Sequence, residues 1–142
     1  SKDLVNNRIK FRESFRPFAP ITPLEEVHSY FEVDGESPYM LKITPVKENK
    51  KSVIPAVTHI DGSARVQTVT RCQNKKIYDL LYVIKKHNGI PVLLNTSFNI
   101  RGDTIVRTPN DALKCFMNTG MDSLAIGPYL ISKVSKQRSN EK

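Results

Sequence analysis

Residues 75–95 constrain the fold of this chain most, because the hydrophobic period changes inside them. Ile77, Leu80, Leu81 and Ile84 recur at the spacing of one helix face. Gly89 and Pro91 stop that helix, which the pattern places over residues 75–88. Residues 91–95 then run almost continuously apolar, the pattern of a strand covered on both faces. A helix that runs straight into a buried strand belongs to an α/β architecture.

The remaining punctuation agrees with that class. Thr108-Pro109-Asn110-Asp111 offers an N-cap, a proline at the first helical position and an acid at the third. The helix it opens is expected to bury Ala112, Leu113 and Phe116 and to end at Gly120. Thr22-Pro23-Leu24-Glu25 repeats the device and opens a shorter helix burying Leu24, Val27 and Phe31. Residues 39–46 alternate, with Tyr39, Leu41 and Ile43 on one face. Residues 64–70 alternate too, with Arg65, Gln67 and Val69 opposite Val66 and Thr68. Residues 124–134 supply a further strand. The expectation is one α/β domain over residues 1–134, a mixed sheet with helices packed on it, and a polar, disordered tail at 135–142.

At 142 residues the chain can bury one sizeable core, and 39% hydrophobic with 25% charged residues is a globular composition. No apolar run approaches the roughly 20 residues of a membrane span. The basic opening residues lack the apolar stretch of a secretory signal. Cys72 and Cys115 form no disulfide framework and no C-x-x-C spacing, which points to a reducing, cytoplasmic setting. A chain opening Ser-Lys-Asp without an initiator methionine reads as a piece of a longer protein. The net charge of +8, from 22 Lys and Arg against 14 Asp and Glu, favours a polyanionic ligand.

Three segments carry candidate chemistry. In Leu94-Asn95-Thr96-Ser97-Phe98-Asn99-Ile100-Arg101, a strand ends in small polar side chains, where α/β folds place ligands. Asn95, Thr96, Ser97 and Asn99 beside Arg101 can donate to phosphate or carbonyl oxygens. Ser97 lacks a G-x-S-x-G elbow, so a nucleophilic role is disfavoured, while a purely structural turn is an open alternative. In Arg8-Ile9-Lys10-Phe11-Arg12 with Arg16, an extended backbone would put Arg8, Lys10 and Arg12 on one face, suited to a di- or triphosphate. Ile9, Phe11, Phe15 and Phe18 would then be the core anchors; a solvated basic face is the other reading. In Thr58-His59-Ile60-Asp61-Gly62-Ser63-Ala64-Arg65, His59 reads as a turn-bonded histidine or a ligand contact, and Arg65 as an anion contact. No Walker A loop and no G-x-G-x-x-G is present.

Three strings in order, from Asn7 to Pro20, from Thr58 to Val69 and from Leu93 to Gly102, closely resemble the C-terminal domain of NodU/CmcH-type O-carbamoyltransferases. The likeness runs from about Val5 to Lys133. It implies a YrdC-like twisted α/β sheet that binds ATP, with Mg²⁺ on the nucleotide, and carbamoyl phosphate, and forms carbamoyl-adenylate with release of pyrophosphate. It further implies a preceding domain of the actin-like ATPase superfamily, holding iron or another metal, that transfers the carbamoyl group to a hydroxyl. Lys10-Phe11-Arg12 and Ser97-Phe98-Asn99 match the Lys-x-Arg and Ser-x-Asn of the YrdC superfamily's adenylate-forming site. By that resemblance Lys10, Arg12, Ser97 and Asn99 are the catalytic set. Arg16, Arg65, His59, Asn95, Thr96 and Arg101 are the expected nucleotide and carbamoyl-phosphate contacts, and no protein metal site is expected. Two rival expectations stand beside it: a basic nucleic-acid-binding module, and an inert interface domain. The first rival would lose affinity steeply with salt.

Overall fold

The structure, a computed structural model, describes residues 2–11 and 17–134. It is mixed α/β, as the change of period predicts. Residues 17–96 build one compact unit, and residues 3–11 with 97–134 build a second.

The first unit is a four-stranded sheet in the order β2-β3-β1-β4, from β1 (Ala19–Pro23), β2 (Lys42–Pro45), β3 (Ser63–Val69) and β4 (Leu93–Asn95). β1 runs parallel to β3, while β4 pairs antiparallel with β1 and β2 antiparallel with β3. Ala64, Val66 and Thr68 of β3, with Thr22 and Thr44 of its neighbours, turn to the buried side. Leu81 of α3 (Lys75–Asn88) is wholly buried, and α3 packs on β1. Asn74 caps α3 through its side chain, and Gly89 ends it in a left-handed conformation. A 3₁₀ turn, Leu24–Glu26, leads into α2 (Val27–Tyr30), and Val27 and Phe31 are fully buried.

Several expectations fail here for physical reasons. Residues 19–23 form a strand, so Thr22 sits in the sheet instead of capping the helix; Pro23 precedes the turn without a side-chain cap. β4 is an edge strand, paired laterally with β1 alone, and its residues are half-buried instead of covered on both faces. β2 is shorter than residues 39–46, and its buried side carries Thr44, with Val46 just beyond. The face with Tyr39, Leu41 and Ile43 is open, at 78%, 84% and 68% exposure.

The second unit contains α1 (Lys2–Val5) from Asp3 onward, a π-helical turn at Asn6–Lys10, α4 (Pro109–Met117) and the hairpin β5 (Ser123–Ile126) and β6 (Tyr129–Ser132). Its core joins Ala112 and Phe116 of α4 to Leu124 of β5, while Leu113 lies exposed. The single strand expected over 124–134 folds back at Gly127-Pro128. The Thr108 hydroxyl accepts from the Asp111 N–H at 3.2 Å, and the Asp111 carboxylate accepts from the Thr108 N–H at 3.1 Å, closing the capping box. Arg12, Phe15, Arg16 and the tail at 135–142 lie outside the described residues. Among the described residues no helix is long and apolar enough to cross a membrane.

Candidate functional site

The segment expected to be extended is wound. The π-helical turn at Asn6–Lys10 ends on Phe11, whose φ of +50° is a left-handed conformation unusual for a bulky side chain. The winding reverses the expected pattern: Lys10 is buried and Phe11 half-exposed, and Arg8 and Lys10 no longer share the face of a strand. The turn is tied down by the Gly120 N–H, which donates to the Arg8 carbonyl at 2.7 Å.

Buried at 5% exposure, the Lys10 ammonium must find oxygens inside the protein. It donates to the carbonyls of Ser97 (2.5 Å) and Asn99 (2.9 Å), to Asn99 Oδ1 (2.8 Å) and, at longer range, to Ser97 Oγ (3.3 Å). The Ser97 hydroxyl donates to Asn99 Oδ1 at 2.6 Å, and Asn99 Nδ2 donates to the Asp103 carbonyl at 2.9 Å. Asp103 closes a turn on the Ile100 carbonyl, with Gly102 at φ +86° supplying the left-handed residue that such a turn requires. Arg101 lies exposed in that turn. Lys10 is thus joined in one hydrogen-bonded cluster to Ser97 and Asn99, which lie 87 and 89 residues further along the chain.

Asn99 also lines a cavity of about 350 Å³ together with Asp103, Arg107, Asp111, Lys114 and Cys115. Charges of both signs border it. Burial pushes the Cys115 thiol up from its ordinary range, against the pull of the Lys10 charge.

The other expected contacts lie in the first unit. The Ser63 hydroxyl donates to Asp61 at 2.7 Å and lies 3.2 Å from His59 Nδ1. With its proton spent on Asp61, Ser63 can only accept from His59, so the Nδ1–H tautomer is the one that fits. That hydroxyl, followed by the Ser63 N–H, holds the Asp61 carboxyl below the usual carboxylate range. His59 thus takes part in a self-bonded turn with Asp61 and Ser63. Arg65 is exposed on β3, on the face opposite Ala64 and Val66. Asn95 is half-buried at the end of β4, and Thr96 after it is exposed. The residue that the sequence reading left out of the site is Gln67, whose amide bonds Asn95; the alternation that put Gln67 beside Arg65 was the available signal.

A mixed α/β chain with a buried lysine clamped to a Ser-x-Asn loop fits the class of protein that the motifs suggest. The profile of the family described as carbamoyltransferase C-terminus matches residues 1–133, and this chain belongs to that family. It is 43% identical over 94% of its length to nodulation protein NolO of Bradyrhizobium diazoefficiens. It is also 41% identical over 80% of its length to 3'-hydroxymethylcephem-O-carbamoyltransferase of Streptomyces clavuligerus. Nodulation protein U of Rhizobium tropici is 44% identical over 71% of the chain. The matches cover 25%, 21% and 17% of those three proteins, so the chain spans about a quarter or less of the length of these relatives.

Proposed function

We propose that this chain is the nucleotide-activating part of an O-carbamoyltransferase. It binds ATP and carbamoyl phosphate and forms carbamoyl-adenylate, and a preceding domain of the longer protein passes the carbamoyl group to a hydroxyl. The observation that carries this reading is the Lys10–Ser97–Asn99 cluster in a chain of this family. In the reaction, water takes the phosphoryl group of carbamoyl phosphate, leaving carbamate and phosphate. A carbamate oxygen then bonds to the α-phosphorus of ATP while the bond to pyrophosphate breaks. Negative charge grows on phosphate oxygens at that step, and a fixed cation nearby stabilises it without reorganising. Lys10 supplies that charge from behind the loop, since its protons already go to Ser97 and Asn99. Magnesium arrives with the nucleotide, whose phosphate oxygens supply ligands of the kind it prefers.

Calorimetric titration with ATP and Mg²⁺, with and without carbamoyl phosphate, tests the reading on the natural full-length polypeptide. Saturable one-to-one binding is expected, and Lys10→Ala and Ser97→Ala should each abolish it while the far-ultraviolet circular dichroism persists. A folded full-length protein that binds neither compound would overturn the proposal.

A further inference from the structure

The open face of the first unit carries a second polar relay, which starts at an atom whose identity is fixed. The Pro38 carbonyl can only accept. Gln67 Nε2 donates to it at 2.8 Å, which turns Gln67 Oε1 the other way, toward Asn95. That oxygen accepts from Asn95 Nδ2 at 2.5 Å. The same Nδ2 lies 3.9 Å from the sulfur of Met40, whose backbone takes a left-handed φ of +56°. Conformations of that kind in a non-glycine residue carry strain and collect at functional sites. Both protons of Nδ2 are therefore directed at protein partners, and the Pro38 carbonyl, through Gln67, fixes the orientation of the Asn95 amide.

The consequence concerns the remaining atom. Asn95 Oδ1 has no donor among the described residues and sits at the half-buried end of β4. Arg65 stands two positions from Gln67 on the same face of β3, about 7 Å along the strand. A ligand suited to this arrangement combines an N–H donor for Asn95 with an anionic or carbonyl oxygen for the guanidinium. A carbamoyl group joined to phosphate has that pattern.

The geometry points to Asn95 as the acceptor that recognises the carbamoyl N–H, with Gln67 as the positioning residue that holds its amide the right way round. The assignment rests on the carbamoyl-phosphate reading above and deepens it. It gives the chain a means to tell a carbamoyl group from an acyl group of the same shape, because a methyl in place of the NH₂ leaves Oδ1 without a donor. A site built to hydrogen-bond an N–H discriminates against the analogue that lacks it far better than an apolar pocket does.

A stable pair of ligands makes the test clean: phosphonoacetamide and acetonylphosphonate, which differ only by NH₂ against CH₃. Dissociation constants are measured by calorimetry on the natural full-length polypeptide. The wild type is expected to prefer phosphonoacetamide by about tenfold or more, in line with one well-placed hydrogen bond. Asn95→Leu should bring the two constants to within about twofold. Gln67→Met, which leaves Asn95 in place but frees its amide to rotate, should reduce the preference while acetonylphosphonate affinity holds. That split between the two ligands is a readout that general loosening of the fold would not move. Equal binding of both compounds by the wild type, or a preference that survives in Asn95→Leu, overturns this assignment alone. Binding of neither removes the carbamoyl-phosphate reading along with it.

Discussion

Lys10 shows how one side chain shapes a site by being unavailable. A lysine in an expected phosphate-binding motif is ordinarily pictured with its ammonium aimed at the ligand, but here the protons go to Ser97 and Asn99. Lys10→Met keeps the stem and removes the charge, leaving those part-buried oxygens without their donor. The expected loss of stability is about 1–3 kcal/mol, measured by urea denaturation at unchanged m. An exposed, unused lysine would give a difference near zero. Gly120 makes the matching point about space. A Cβ there would lie 2.9 Å from both the Arg8 Cβ and the Arg8 carbonyl oxygen, and backbone cannot step aside cheaply. Gly120→Ala should cost about 1–3 kcal/mol, as overpacking does, and should weaken nucleotide binding because the displaced turn carries Lys10. A melting temperature equal to the wild type's would show that the turn moves freely.

At the scale of elements, α4 is held at its start by a reciprocal cap. Thr108→Ala removes the acceptor for the Asp111 N–H and should cost about 1 kcal/mol in a thermal melt. The Thr108 hydroxyl beside Asp111, and then the Arg107 N–H, hold the Asp111 carboxyl below its usual range. A carboxyl depressed in the folded state adds stability that is present above the unfolded value, roughly 3.9, and disappears as pH falls through the folded value. Melting temperatures should therefore drop on acidification below pH 4, and Asp111→Asn should flatten that part of the curve; an unchanged acid limb would remove the assignment. This cap, and the bounds of α3, were legible in the sequence because both helices are bracketed by local signals: Thr108 with Pro109, and Gly89 with Pro91. β1 was not, because Ala-Pro-Ile-Thr-Pro has the composition of a turn, and only pairing with β3 and β4, remote in the chain, makes it a strand. The π-helical turn escaped for a different reason. Alternating basic and apolar residues at 8–12 satisfy a strand period, and nothing local announces that Lys10 will be drawn inward by acceptors 87 residues away. Ser97 and Asn99 were found as candidates from their place at a strand end, whereas Gln67 needed the register of three strands to bring it to Asn95.

The whole molecule carries a net charge of +8, and the question at this scale is whether that field or the local cluster governs anion binding. Lys136, Arg138 and Lys142, against Glu141, lie beyond residues 1–133, where the family match ends. Shortening the chain to end at Val134 removes this excess and leaves Lys10, Ser97, Asn99, Arg65 and Asn95 untouched. If a compact site holds the nucleotide, ATP–Mg²⁺ affinity in the shortened protein stays within about twofold of the original, because the cation bonded to Ser97 and Asn99 is Lys10, which the truncation keeps. A nucleic-acid binder behaves otherwise. Its affinity for a single-stranded oligonucleotide falls with salt at a slope of about −0.7 per phosphate contacted, and removing tail charges makes that slope shallower. Measuring both ligands across a salt series on both chain lengths separates the cases. The expected result is a nucleotide affinity that Lys10→Ala abolishes and the truncation leaves alone. A tenfold loss on truncation, with a steep oligonucleotide slope that shrinks with it, would move the function from a carbamoyl-activating site to the basic surface.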